Sequence, residues 1–136
     1  MAITLSVAVR NARLDQLETT ISTAPILRIY SGAEPTNITD APSGTLLVEM
    51  TLPSDWLAAA SGGTKAISGL WQDASANNNG TAGYFRIRDS GDTTSHMQGT
   101  VTGTGGGGDI ELNNAVIATG QQVTITAFTL TDGNGD

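Results

Sequence analysis

The chain has no cysteine, so neither a disulfide nor a thiolate metal cage can be built from its 136 residues. It has one histidine, His96, and no spacing that sets a base beside a nucleophile; a lone imidazole does general-base work only with a placed partner and a pocket. Basic residues are scarce: six Lys and Arg stand against thirteen Asp and Glu, giving a formal charge of −7. With no Lys/Arg cluster to offset that charge, a phosphate backbone is repelled, which excludes nucleic acid as a partner. No stretch approaches the ~20 apolar residues that cross a bilayer as a helix, so no membrane partner is expected. Met1 to Arg10 carries no charged segment leading into an apolar run, and no signal peptide is read there. Aromatics are few, and Trp56 and Trp71 are expected in the core or at its rim. What remains is glycine, seventeen of them, with many Thr, Ser and Asn around short apolar segments. That composition fits a turn-rich β module of one domain, able to remove roughly two-thirds of its unfolded surface from water.

The first residues follow a different period from the rest. Val7, Leu14, Leu17 and Ile21 fall on one helical face, with Arg10, Arg13, Asp15 and Glu18 assigned to the other. Ser6 can cap the start, and Ala24-Pro25 ends the run. A helix is expected from Val7 to Thr20, packed either on its own sheet or on a neighbouring subunit. After Pro25 the period becomes two. Strands are expected at Ile26 to Tyr30, Thr45 to Leu52, Lys65 to Asp73, Gly83 to Ser90, Thr94 to Val101, Ile110 to Ile117 and Gln122 to Thr131. Pro53 to Ala60 reads as one helical turn closed by Gly62-Gly63. Ala33 to Gly44 and Ala74 to Ala82 read as exposed loops. Between Gly83 and Val101, an odd-length loop is expected, because it sets Ile87 opposite Met97 and Arg88 opposite His96; a one-residue slip would mix the faces. Phe128 and Leu130 break the alternation of Val123, Ile125 and Ala127, which predicts a bulge or a second partner surface. The fold class expected is mainly β: an antiparallel sandwich or jelly-roll-like barrel of about eight strands with one N-terminal helix. The organisation is a helical segment at 1–24, a β-sandwich domain at 25–132 and a polar tail at 133–136.

Motifs of chemistry fail on context. Gly103, Gly105 and Gly108 have dinucleotide-loop spacing, yet lead through Asp109 into a strand, where a hairpin-type connection is expected. Asp132, Asn134 and Asp136 open like a calcium loop that the chain never closes. Asp89, Asp92, Asp109 and Glu111 are the loop-proximal acids that a glycosidase-type carboxylate pair would have to use. No enzyme, cofactor or metal site is expected.

Ala8-Val9-Arg10-Asn11-Ala12-Arg13-Leu14-Asp15, Thr51-Leu52-Pro53-Ser54-Asp55-Trp56, Gly69-Leu70-Trp71-Gln72-Asp73 and Gly80-Thr81-Ala82-Gly83-Tyr84-Phe85-Arg86-Ile87 form one ordered set of segments. With Gly105-Gly106-Gly107-Gly108-Asp109 and Gln122-Val123-Thr124-Ile125-Thr126-Ala127-Phe128-Thr129-Leu130, the set resembles a group of small structural proteins of tailed bacteriophages, over nearly the whole chain. The resemblance implies a virion component of the head decoration or cement type, made in the bacterial cytoplasm and placed on the outer surface of the head. Its implied partners are the major capsid protein and further copies of itself, as dimer or trimer. The contact residues expected for subunit or capsid are Arg10, Arg13, Leu14, Leu17, Asn77 and Asn78. The alternative is a tail or adsorption component with a receptor- or glycan-binding surface, suggested by the two tryptophans and the Gly/Asn-rich loops.

Overall fold

The computed structural model describes residues 3–133. It is mainly β, with a single helix α1 (Val7–Ile21) and ten strands: β1 (Ile26–Ser31), β2 (Leu46–Thr51), β3 (Thr64–Ala66), β4 (Trp71–Asp73), β5 (Gly80–Arg88), β6 (Ser95–Gly103), β7 (Ile110–Leu112), β8 (Val116–Ile117), β9 (Val123–Ile125) and β10 (Thr129–Thr131). The main sheet runs β2-β1-β5-β6-β7, with β8 paired to the start of β5. Two short ribbons, β3 with β10 and β4 with β9, complete the body. No helix among the described residues is long and apolar enough to cross a membrane.

The helix begins where Ser6 accepts a hydrogen bond from the Val9 N–H at 3.3 Å, and it ends as Ser22 turns to φ +74°. Leu14 and Ile21 are its buried apolar side chains, worth roughly 1.5–3 kcal/mol each when taken fully from water. Val7 and Leu17 are about half and one-third exposed. The expected division of faces is corrected here: Arg10, Asn11, Asp15 and Glu18 flank Leu14 and turn toward the body. Each of them reaches a partner on the β domain. The helix is held by polar contacts around a narrow apolar seam.

Along β5 the side chains alternate as the period of two requires. Phe85 and Ile87 enter the core, while Tyr84, Arg86 and Arg88 stand on the opposite face of the sheet. The core centres on an aromatic chain: Trp56 to Trp71 at 5.9 Å between ring centroids, Trp71 to Phe128 at 6.0 Å, and Phe128 edge-on to Phe85 at 5.5 Å. Both indole N–H groups are satisfied inside, Trp56 donating to the Ser22 carbonyl and Trp71 to those of Trp56 and Ser68.

Ile87 does sit opposite Met97, but Arg88 pairs with Ser95 and not with His96. The register shifts between Ile87 and Arg88, so the odd residue is a bulge at His96 in the strand itself. Three other expectations are corrected. Residues 53–60 form no helix; Leu57 bridges Ile67 and Ser61 bridges Thr64, so this segment is one arm of a tight hairpin. Gly62 and Gly63, at φ +61° and +77°, are its two-residue turn, the backbone that a primed turn demands. The long strands expected at 65–73, 110–117 and 122–131 are each two short ones, and β9 and β10 take different partners, β4 and β3. Finally, β7 runs parallel to β6, where an antiparallel return was expected.

That parallel pair is joined by only residues 104–109, far fewer than the dozen or more usual for parallel neighbours. The glycines make it possible. Gly105 and Gly107 lie at φ +85° and +81°, and a Cβ on Gly106 or Gly108 would fall within 3 Å of Thr102. The reversed loop is then fastened by the Glu111 carboxylate, which accepts from the Gly105 and Gly107 N–H groups.

Candidate functional site

The helix meets the body at Lys65, a side chain only 1% exposed. Its ammonium donates to Asp15 at 2.6 Å and to the Ala58 carbonyl at 2.8 Å, with Glu18 at 3.1 Å. Burial alone would lower the Lys65 pKa; the hydrogen bonds with Asp15 and Glu18 outweigh it and hold the group above its usual value. Asp15 is correspondingly lowered, first by the Lys65 hydrogen bond and then by the Ala60 N–H. At the other end of the helix, Arg10 donates twice to the Asp132 carbonyl and Arg13 pairs with the Asp132 carboxylate. Asn11 accepts from the Gly63 N–H, the hairpin turn lying against the Arg10 guanidinium. Of the residues expected to touch a neighbour, then, Leu14 is buried in cis, Arg10 and Arg13 bind the end of β10, and Leu17 lies at the exposed margin of the helix.

Asn77 and Asn78 lie far from the helix and serve the edge of the main sheet. The Asn77 N–H donates to the Leu47 carbonyl, and the Asn78 side-chain amide donates to that of Leu46 at 2.8 Å. Asp73 continues the cover by accepting from the Glu49 N–H. Capping an edge strand this way removes a template for unwanted strand pairing.

The outer face of the main sheet gathers three arginines. Asp92, in the turn after β5, forms a two-pronged pair with Arg28 at 2.9 Å and also binds Arg88; Glu49 holds Arg28 from the other side. Asp92 is lowered in pKa, chiefly by Arg28, and Arg28 is raised, chiefly by Asp92. Residues 33–44 fold over this face and are pinned to it. The Tyr84 hydroxyl donates to the Ser43 carbonyl and accepts from the Ser43 N–H, while its ring stacks on Tyr30 at 5.1 Å. Gln98 donates to the Pro35 carbonyl, and Arg86 donates to the carbonyls of Asp40 and Asn37. A cavity of about 270 Å³ remains between this loop and the strands. The alternation of Tyr84, Arg86 and Arg88 placed these groups on one face; that the loop covers them had no signal in the local pattern.

The remaining candidates are occupied with local structure. Asp89 accepts from the Thr93 hydroxyl and N–H, which lower its pKa. Asp109 accepts from the Thr100 N–H and hydroxyl, and Glu111 holds the glycine loop. His96 sits in the bulge of β6, partly exposed. Of the calcium-like triplet, Asn134 and Asp136 lie outside the described residues, and the Asp132 carboxylate pairs with Arg13. Among the described residues no group of three or more His, Asp or Glu is placed to hold a metal ion. Both tryptophans are fully buried, so neither offers a platform for a sugar.

Charge is distributed one-sidedly. Arg13, Arg28, Lys65 and Arg88 are all in ion pairs, Arg10 is bonded to a backbone carbonyl, and Arg86 is buried. Glu34, Asp40, Asp55, Asp73, Asp89, Asp109 and Glu111 have no cation within ion-pair distance among the described residues. Comparison with known proteins finds no matching family model, no matching curated protein and no matching solved structure.

Proposed function

We propose that this chain is a non-enzymatic structural protein of a tailed-phage virion that binds the capsid lattice from outside and stabilises the head. The segment-level resemblance supplies the class. The observation that carries the reading is the charge distribution: every cation is engaged by groups of the same chain, Arg13 alone of them being mostly exposed, and the charges left without a partner among the described residues are carboxylates. Such a surface keeps away from packaged nucleic acid and suits a partner surface that is basic or neutral. Its loops are pinned by side-chain hydrogen bonds, so little ordering entropy is lost when it docks. Weak contacts repeated over a lattice, or through a dimer or trimer of this chain, multiply into firm attachment. Assembly takes place in the host cytoplasm.

Averaged density of the virion tests the proposal directly. Copies are expected on the outside of the head, and particles lacking the chain are expected to release their contents at lower temperature. Copies confined to the tail, together with unchanged heat resistance of depleted heads, would replace the proposal with the adsorption reading.

A further inference from the structure

We propose that the cavity beneath residues 38–42 is a binding site for a carboxylate group, with Arg86 as its cation. Acids outnumber bases about two to one in this chain, yet the one arginine that is fully buried has none within ion-pair distance among the described residues. Arg86 donates from Nε to Gln98 Oε1 at 3.1 Å, from Nη1 to the Asp40 carbonyl at 2.7 Å and from Nη2 to the Asn37 carbonyl at 3.4 Å. All three acceptors are neutral. A guanidinium has five N–H groups, so one on each terminal nitrogen is left over, and the positive charge is met by oxygen dipoles without a counter-ion. A buried charge without a counter-ion is costly, and an anion alongside it relieves that cost.

The cavity provides the place. Arg86, Arg88, Thr94 and Ser95 border it on the strand side, and residues 38–42 on the loop side. Arg88 is already neutralised by Asp92 and donates to the Ser95 hydroxyl, so it holds that wall in position. Thr94 brings a further hydroxyl. Asp40 also borders the cavity, its carboxylate accepting from the Asn37 N–H at 3.0 Å on its own loop. That acid selects the ligand: a negative wall opposes a phosphate dianion far more than a singly charged group. A planar carboxylate also matches the fork of a guanidinium. The assignment stands independently of the virion reading, and a small acid and a protein partner's acidic side chain or C-terminus are the two sources of such a carboxylate.

The test is a titration of the full ¹⁵N-labelled chain with sodium acetate, balanced to constant ionic strength with sodium chloride. Resonances of the Arg86 Nε–H and the Thr94 and Ser95 amides are followed. Saturating shifts at these three groups, absent with chloride alone, are expected. Thr94→Val leaves the Arg86 contacts in place and should weaken acetate about fivefold, the effect of one lost hydrogen bond. Arg86→Gln should abolish saturation; should that variant not fold, Thr94→Val decides. Shifts that stay linear, or that chloride reproduces, would overturn the site, and saturation by inorganic phosphate without acetate would overturn its carboxylate selectivity. Short peptides with a free or an amidated C-terminus, with and without Glu, distinguish the sources: displacement of acetate by the carboxylate-bearing forms assigns a protein partner, and its absence assigns a small acid.

Discussion

Lys65 and Gly83 are single residues on which different parts of the fold depend. Replacing Lys65 by Met keeps the buried stem and removes the charge that binds Asp15 and Glu18. Breaking a fully buried pair from one side costs 3–5 kcal/mol, but both carboxylates here are partly open to water, so about 1–3 kcal/mol is expected. Urea denaturation measures it, and a loss below the error of the method would show that Leu14, Ile21 and the Arg10, Asn11 and Arg13 bonds hold the helix without Lys65. Gly83 meets a different constraint. A Cβ there would lie 1.8 Å from the Gly32 carbonyl oxygen, a backbone atom that cannot swing aside. Gly83→Ala should therefore cost about 2–3 kcal/mol, the upper range for overpacking. Gly91 has only ordinary contacts and no positive φ, and Gly91→Ala is the control expected to be near neutral.

Elements show how far local pattern reaches. Helix α1 and the Ile87–Met97 register were legible because period and face are properties of neighbouring residues. The hairpin of residues 56–68 has an ambiguous local signal: Gly62-Gly63 between two apolar arms marks a primed turn as much as a helix stop. Ala58-Ala59-Ala60 favours helix locally, while burial of both Trp56 and Leu57 is a tertiary effect that favours an extended arm. The candidate contacts suffered the same limit. Nothing near Asn78 in sequence reveals that its amide reaches Leu46, thirty-two residues earlier. The parallel β6–β7 pair was hidden for a further reason: the glycine run is common to flexible loops, and only contact with Thr102 distinguishes it. This gives a paired prediction. Gly106→Ala puts a methyl 2.6 Å from the Thr102 side chain at ordinary φ, and should cost about 1–3 kcal/mol and loosen amide protection in β7. Gly105→Ala meets nothing but a left-handed backbone, and about 1 kcal/mol is expected. Equal costs for the two would mean that backbone conformation alone shapes the loop.

For the whole molecule, the helix closes its seam within the chain, Leu14 and Ile21 being buried and Asp15 held by Lys65. If the chain meets its lattice as a monomer, its melting temperature should be the same across a hundredfold range of concentration; a rise with concentration would place part of the folding energy at an interface between copies, as a dimer or trimer requires. The pH profile follows from the ion pairs. Asp15, Asp89 and Asp92 have depressed pKa values, through Lys65, Thr93 and Arg28 respectively. Each contributes stability that is present above the unfolded value of about 3.9 and is lost as pH falls through the folded value. Lys65 is raised by its carboxylates against burial, and Tyr30 is raised chiefly by burial. Their contributions are present below about pH 10 and are lost as pH rises through the folded values. Stability should then be nearly level between those limits and fall below about pH 4, even though the net charge of −7 is being neutralised there. Asp15→Asn should lower the plateau and flatten the acid limb, because the amide that replaces the carboxylate takes up no proton. If stability instead rises steadily from neutral pH into that acid range, relief of charge repulsion outweighs the pairs, and the helix anchor at Lys65 contributes less than its geometry implies.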